Sequence, residues 1–182
     1  MLKTTDILDE KNPLIRAKNE EVSFPLKDSE KKLIEDMLDH LYMSQIDEYA
    51  KKYNLRPGMG LAAPQVGVNK RFFVVCHEEY ENEFKNYVLI NPTVVSHSEE
   101  LIYSSGGEGC LSVNREVEGI VPRYARITVK GKDINGKDIK IRAREELAIA
   151  FQHELDHLEG ILFVDKIDSK DPYKNIENMR EI

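Results

Sequence analysis

Residues 153–157 read His-Glu-Leu-Asp-His. Two histidines four positions apart on a helix point the same way, one turn apart, so both imidazoles can reach one metal ion. The glutamate between them, Glu154, lies next to that face and can take a proton from a water acidified by the metal. The plain alternative is a helix that contains two histidines by chance. The surroundings weigh against it. Leu147, Ile149, Ala150, Phe151, Leu155 and Leu158 give residues 144–158 an apolar helical pattern, and Gly160 is a natural stop.

A hydrolytic metal centre usually has three protein ligands and one position open to water. The extended pattern HExxHxxGxxH is half present, because Gly160 fits but position 163 is Phe163. Glu177, 20 residues after His157, is another candidate ligand, in a polar tail that follows Pro172. It would make the chain a metallopeptidase cutting internal peptide bonds. Upstream stands Cys110, in Gly106-Gly107-Glu108-Gly109-Cys110-Leu111-Ser112. Glycines there let the backbone approach a partner closely, and the thiol suits a metal ligand, bound as thiolate, or a nucleophile. Cys76 is the contrast: it ends the apolar run FFVVC and reads as a small buried hydrophobe. The non-enzyme alternative is a structural Cys/His site with all four positions filled by protein. Its fourth ligand would come from His40, His77 or His97, each of which reads as a solvated surface histidine, and it would leave Glu154 without a role.

A third segment, Gly58-Met59-Gly60-Leu61-Ala62-Ala63-Pro64-Gln65, matches the dinucleotide pattern G-x-G-x-x-A mechanically. A dinucleotide loop must follow a strand, and the polar, proline-containing KKYNLRP before it is no strand. The segment reads better as a backbone cradle ending in Gln65, whose amide can donate to a carbonyl oxygen.

These groups need elements to hold them. The 182 residues suit one domain with its own core. A net charge of −7 argues against sequence-independent nucleic-acid binding, though not against a small basic patch. No apolar run approaches membrane-spanning length, and MLKTTDILDEKNP has no apolar signal core. With two cysteines this predicts a reducing, cytoplasmic setting. Residues 1–28 read as irregular. A helix is predicted from Asp28 or Ser29 to about Tyr53, its apolar face formed by Leu33, Ile34, Met37, Leu38, Leu41 and Tyr42. Strands are predicted at 71–76 and at 87–90, the latter closed by Asn91-Pro92. A hairpin is predicted over 125–130 and 138–142 around Asn135-Gly136, with Ile127 and Val129 facing Ile139 and Ile141. Glu78-Glu79 and Glu99-Glu100 read as solvated loops, and the tail from Ser169 as a segment that packs or frays. The fold class is therefore α+β: mixed or antiparallel strands around a central HExxH helix, with an amphipathic helix near the N-terminus.

Taken in order, the three segments resemble the motifs of the peptide deformylases, GxGLAAxQ, EGCLS and QHExDHLxG. This chain carries GMGLAAPQ at 58–65, EGCLS at 108–112 and QHELDHLEG at 152–160 without a departure. The long segment before the first motif, the run CLSVNREVEGIVPR and the short polar end are similar to the type II, Gram-positive-like branch.

The resemblance implies one catalytic domain over 1–182 that removes the N-formyl group from the formyl-methionine of new bacterial polypeptides, releasing formate. Cys110, His153 and His157 would be the metal ligands, with Fe²⁺ as the native ion and Zn²⁺, Ni²⁺ or Co²⁺ as substitutes. Glu154 would be general base and then general acid. Gln65 and the backbone N–H of Leu111 would hold the formyl oxygen. Gly60 would contact the peptide backbone, and Met59 would contribute to the methionine pocket. Partners would be formyl-Met nascent peptides, with transient contact to the ribosome, no specific nucleic acid and no membrane.

Overall fold

A computed structural model describes residues 2–182. The leading segment is irregular apart from two short 3-10 turns, Thr4–Asp6 and Pro13–Arg16, and a lone parallel bridge from Glu20 to Lys70. Helix α1 spans Asp28–Gln45. Its first turn is tied by Glu30, whose carboxylate accepts from Lys27 N–H at 2.7 Å. Ile34, Met37 and Leu41 form its buried stripe.

The predicted helix to Tyr53 is two helices. Ile46 is extended, and α2 begins at Asp47 and ends at Tyr53. The break coincides with a tertiary contact. Gln45 Nε2 donates both to Leu41 O, at 3.2 Å, and to Cys76 O on a neighbouring strand, at 3.0 Å, which anchors the end of α1 there.

Five strands form the main sheet: β1 (Gly60–Ala62), β2 (Phe72–Tyr80), β3 (Glu83–His97), β6 (Arg126–Lys132) and β7 (Asp138–Arg144). They lie in the order β1-β2-β3-β6-β7, all antiparallel, so β1 and β7 are its edges. A smaller sheet orders β5 (Arg123–Tyr124), β4 (Leu101–Tyr103) and β8 (Arg180–Glu181), with β4 and β8 parallel. Helix α3, Glu145–Leu158, carries the HExxH segment.

The alternation of the strands divides the core. Phe73, Val75, Leu89, Ile127 and Val129 face α3 through Leu147, Ala148, Phe151 and Leu158. Phe72, Val74, Cys76 and Ile90 face the other way, toward α1. On its far side α3 meets the small sheet, where Ile149 packs with Ile102 and Ala125. No described helix is long and apolar enough to cross a membrane.

Several local expectations shift. Strand β3 continues through Asn91-Pro92 with a break in register. Asn91 adopts φ +51°, and its side chain exchanges two hydrogen bonds with the Val22 backbone, so the residue that reads as a stop is a bulge. The hairpin strands are longer than predicted. Val129 does face Ile141, but Ile139 faces Gly131 and Ile127 faces Ala143. Glu78 and Glu79 are exposed but lie in β2, not in a loop. The chain end packs: β8 joins β4.

Candidate active site

Helix α3 presents His153, Glu154 and His157 on its buried side. Cys110 arrives from the loop between β4 and β5. Its Sγ lies 3.3 Å from His157 Nε2. Among the described residues, Cys110, His153 and His157 form the one group of three ligating side chains whose donor atoms all lie within 4.8 Å of one another. Glu177 is exposed and outside that group. Phe163, at the position where the longer motif needs histidine, instead stacks on the His153 ring at 5.9 Å.

Among the described residues no fourth protein ligand joins the group, and His40, His77 and His97 lie outside it. Two of them depart from the solvated expectation. His40 is fully buried, its Nδ1 3.1 Å from Leu2 O. His77 is half-buried beside Glu146 at 3.4 Å. His97 is exposed, its ring stacked on Tyr124 at 3.7 Å.

The orientation of His153 is fixed by residues to which sequence reasoning gave no role. Its Nδ1 lies 2.8 Å from Glu108 Oε2. Glu108 receives both Nε and a terminal nitrogen of Arg123, at 2.7 and 2.9 Å, and Arg123 also donates to Asp156 at 2.6 Å. A carboxylate on the far nitrogen of a ligating imidazole fixes its tautomer and turns the other nitrogen toward the ion. Glu108 and Asp156 sit inside the quoted motifs, so their positions were visible but their purpose was not. Arg123 lies outside the three motifs, at the end of the run CLSVNREVEGIVPR, where its purpose was not visible.

These contacts set the electrostatics. Burial alone would raise the Glu108 carboxyl, but Arg123 and His153 outweigh it and hold it at about 2. Burial disfavours a charged His153, yet Cys110 and Glu108 raise it well above the ordinary value. Burial, reinforced by His153, lowers His157. Burial pushes Glu154 up to about 7, the range suited to a group that must take and then return a proton. Glu154 Oε2 is buried without a hydrogen-bond partner among the described residues. A buried lone pair left free beside three converging ligands suits a water or substrate proton.

The glycine-rich segment lies against this group. A Cβ on Gly60 would collide with Glu154 Oε1, so only glycine lets edge strand β1 pass so close to the carboxylate. Gln65 is buried. Its Oε1 accepts from Ala62 N–H at 2.9 Å, which turns its NH₂ toward Ser112 Oγ (3.1 Å) and Cys110 Sγ (3.5 Å). Leu111 N–H has no backbone acceptor among the described residues. Gln65, Leu111, Met59 and Gly60 all line one cleft of about 920 Å³, with Ile149 on its apolar wall.

A cysteine and two histidines leave room for a further ligand, and thiolate with neutral imidazole is a donor set for a borderline or soft divalent ion. The residues present therefore fit a resident metal ion.

The polypeptide deformylase family profile matches residues 4–173. Peptide deformylase 2 of Bacillus cereus is 46% identical over 173 residues, covering 95% of this chain and 94% of that protein. A peptide deformylase of Oceanobacillus iheyensis is 45% identical over 182 residues, all of both chains. Among solved structures, the peptide deformylase of Thermotoga maritima superposes with a TM-score of 0.70 at 33% identity, covering 89% of this chain and 96% of that one. Motifs, cleft and relatives agree, and the chain belongs to the polypeptide deformylase family.

Proposed function

We propose that residues 1–182 act as one catalytic domain, a metal-dependent peptide deformylase that hydrolyses the formyl amide of N-formyl-methionyl peptides. The observation that carries this reading is the meeting of Cys110, His153 and His157 within 4.8 Å, beside the unpartnered carboxylate oxygen of Glu154.

Cys110, His153 and His157 would hold the ion, which would supply Lewis acidity to a water and to a carbonyl oxygen. Glu154 removes a proton from the attacking water. As the formyl carbon becomes tetrahedral, Gln65 Nε2–H and Leu111 N–H donate to its oxygen. Each donor aimed at such an oxyanion is typically worth about 2.7–4 kcal/mol of barrier. Glu154 then delivers its proton to the leaving nitrogen. The C–N bond breaks, and formate and a free amino terminus result. The peptide lies along the free edge of β1 as an added strand, its backbone against Gly60. Its methionine side chain enters the apolar part of the cleft near Met59 and Ile149.

Fe²⁺ is the native ion in this reading, with Zn²⁺, Ni²⁺ and Co²⁺ able to replace it at a Cys/His/His set. The enzyme works in the cytoplasm on nascent chains, in transient contact with the ribosome, without a specific nucleic-acid sequence or a membrane. The test is formate release from a short formyl-Met peptide by anaerobically purified protein, with the acetyl-Met peptide alongside. Turnover of the formyl peptide alone is expected. Metal-loaded protein that cleaves neither peptide would overturn the reading.

A further inference from the structure

The hairpin of β6 and β7 carries a charge opposite to that of the rest of the molecule. Residues 126–144 hold seven lysines and arginines against two aspartates, whereas the remainder holds 19 basic side chains against 31 acidic ones. The strand period sorts them. Ile127, Val129 and Ala143 point into the core toward α3. The alternate positions point to the opposite face, and there Arg126, Lys130, Lys140, Arg142 and Arg144 are exposed. Helix α1 covers this side of the sheet at β2 and β3, so the basic face begins where α1 stops.

The register sets like charges against each other. Lys130 is directly opposite Lys140, and Arg126 is opposite Arg144. Such pairs across antiparallel strands are destabilising. Arg126 is compensated by Glu100 and Lys132 by Asp138. Lys130, Lys140, Arg142 and Arg144 have no ion-pair partner within 4 Å among the described residues, so no close carboxylate offsets their repulsion. Protecting the exposed edge of β7 does not explain this pattern. An edge needs charge, not one sign of it, and Lys130 lies on an interior strand.

Two shallow grooves lie along the same face. One, of about 340 Å³, is lined by Arg126, Arg142, Arg144, Thr128 and His97. The other, of about 500 Å³, is lined by Lys130, Lys132 and Lys140, with Asp138, the partner of Lys132, as its one acidic residue. The cationic groups thus form a line along the strands, with residues on one face of a strand about 6–7 Å apart. A line of exposed cations suits a line of phosphates. No aromatic side chain interrupts the outward positions of β6 and β7, so nothing on them stacks a base.

We propose that the outer face of the β6–β7 hairpin docks on the phosphate backbone of RNA, without reading its sequence. This inference stands on the charge and register of that face and is independent of the hydrolytic reading. The acidic remainder of the surface would confine the contact to this face and leave the cleft open.

The experiment is fluorescence anisotropy of a labelled 20-nucleotide single-stranded RNA, titrated with the full chain between 50 and 300 mM salt. Phosphatidylglycerol vesicles and polyglutamate are tested in parallel. With four uncompensated cations engaged, log K should fall against log salt with a slope of about −3. In K130Q/K140Q/R142Q one uncompensated cation remains, so the slope should fall to about −0.7 and affinity at 50 mM salt should drop at least tenfold. Removing the Lys130–Lys140 like-charge pair should leave the melting temperature equal or higher, and formyl-peptide turnover should be unchanged. K130R/K140R should bind as the wild type does. RNA affinity that is absent at 50 mM salt, or that survives the triple substitution, would overturn the proposal. So would tighter binding to the vesicles or to polyglutamate than to RNA.

Discussion

The α1 side of the main sheet and the neighbourhood of α3 each bury a cysteine and a histidine, with opposite results. On the α1 side, Cys76 and His40 are fully enclosed. Cys76 packs among Met37, Leu41 and Phe72, and burial pushes its thiol up to about 11, so it stays a neutral hydrophobe. His40 spends one nitrogen on Leu2 O and leaves the other without a partner among the described residues. On the α3 side, Cys110 and His157 are nearly as enclosed, but they converge with His153, and Glu108 and Arg123 hold that third ring in place. Burial is common to both regions. Convergence of donors, and a charged partner that orients them, belongs to one.

The sharpest way to strain this contrast is to remove the proton carrier without touching the ligands. Glu154→Ala should lose on the order of 10³-fold in turnover, within the range for a general acid–base group, while keeping its metal. Formate release and metal content measured on the same preparation check both halves, and a metal-free variant would move Glu154 from proton transfer to structure. Gly60→Ala should come next, at about 10²-fold in turnover with metal retained. A methyl group there displaces the Glu154 carboxylate, and misplacing a reacting group by about 1 Å costs that much. Unchanged turnover would mean that Glu154 is not held where it acts.

Glu108→Gln probes the support rather than the ligands. It keeps the shape but weakens the charged bonds to His153 and Arg123, and metal affinity should fall about 10–100-fold. Competition with a chelator reads this directly. The smallest effect lies at the chain end, where Arg180 bridges Glu145 and Glu100 and fastens β8 to the body. Bonds to Arg180 lower both carboxyls below their ordinary value of 4.5. Their contribution is therefore present above that value and is lost as pH falls through the lower folded values. Protection of the Ile182 amide, which donates to Tyr103 O, should decline below about pH 4.5 while protection in β2 persists. Equal loss in both would remove the local role of Arg180.

Much of the α3 region was legible because its spacing is local: His153 and His157 are one turn apart, and Gly160 ends the helix. The convergence of Cys110 depends on the chain between β4 and β5, so the residues alone offered it beside Glu177, and the motif resemblance was needed to choose. Arg123 serves the site from a two-residue strand, and the run CLSVNREVEGIVPR that it ends gave no sign of that role. On the α1 side, polarity misled. His40 reads as a surface residue but lies on the buried stripe of α1, in line with Met37 and Leu41. The break at Ile46 was hidden because it coincides with a bond from Gln45 to a strand 31 residues away.

The most direct test is metal stoichiometry of the two cysteine variants, purified anaerobically and compared with the unaltered chain. If convergence makes the site, Cys76→Ala should retain about one divalent ion per chain, whereas Cys110→Ala should fall well below a tenth of that, as expected when one of three protein ligands is lost. Full occupancy in Cys110→Ala, or equal loss in both variants, would contradict the assignment of Cys110, His153 and His157 as the metal centre.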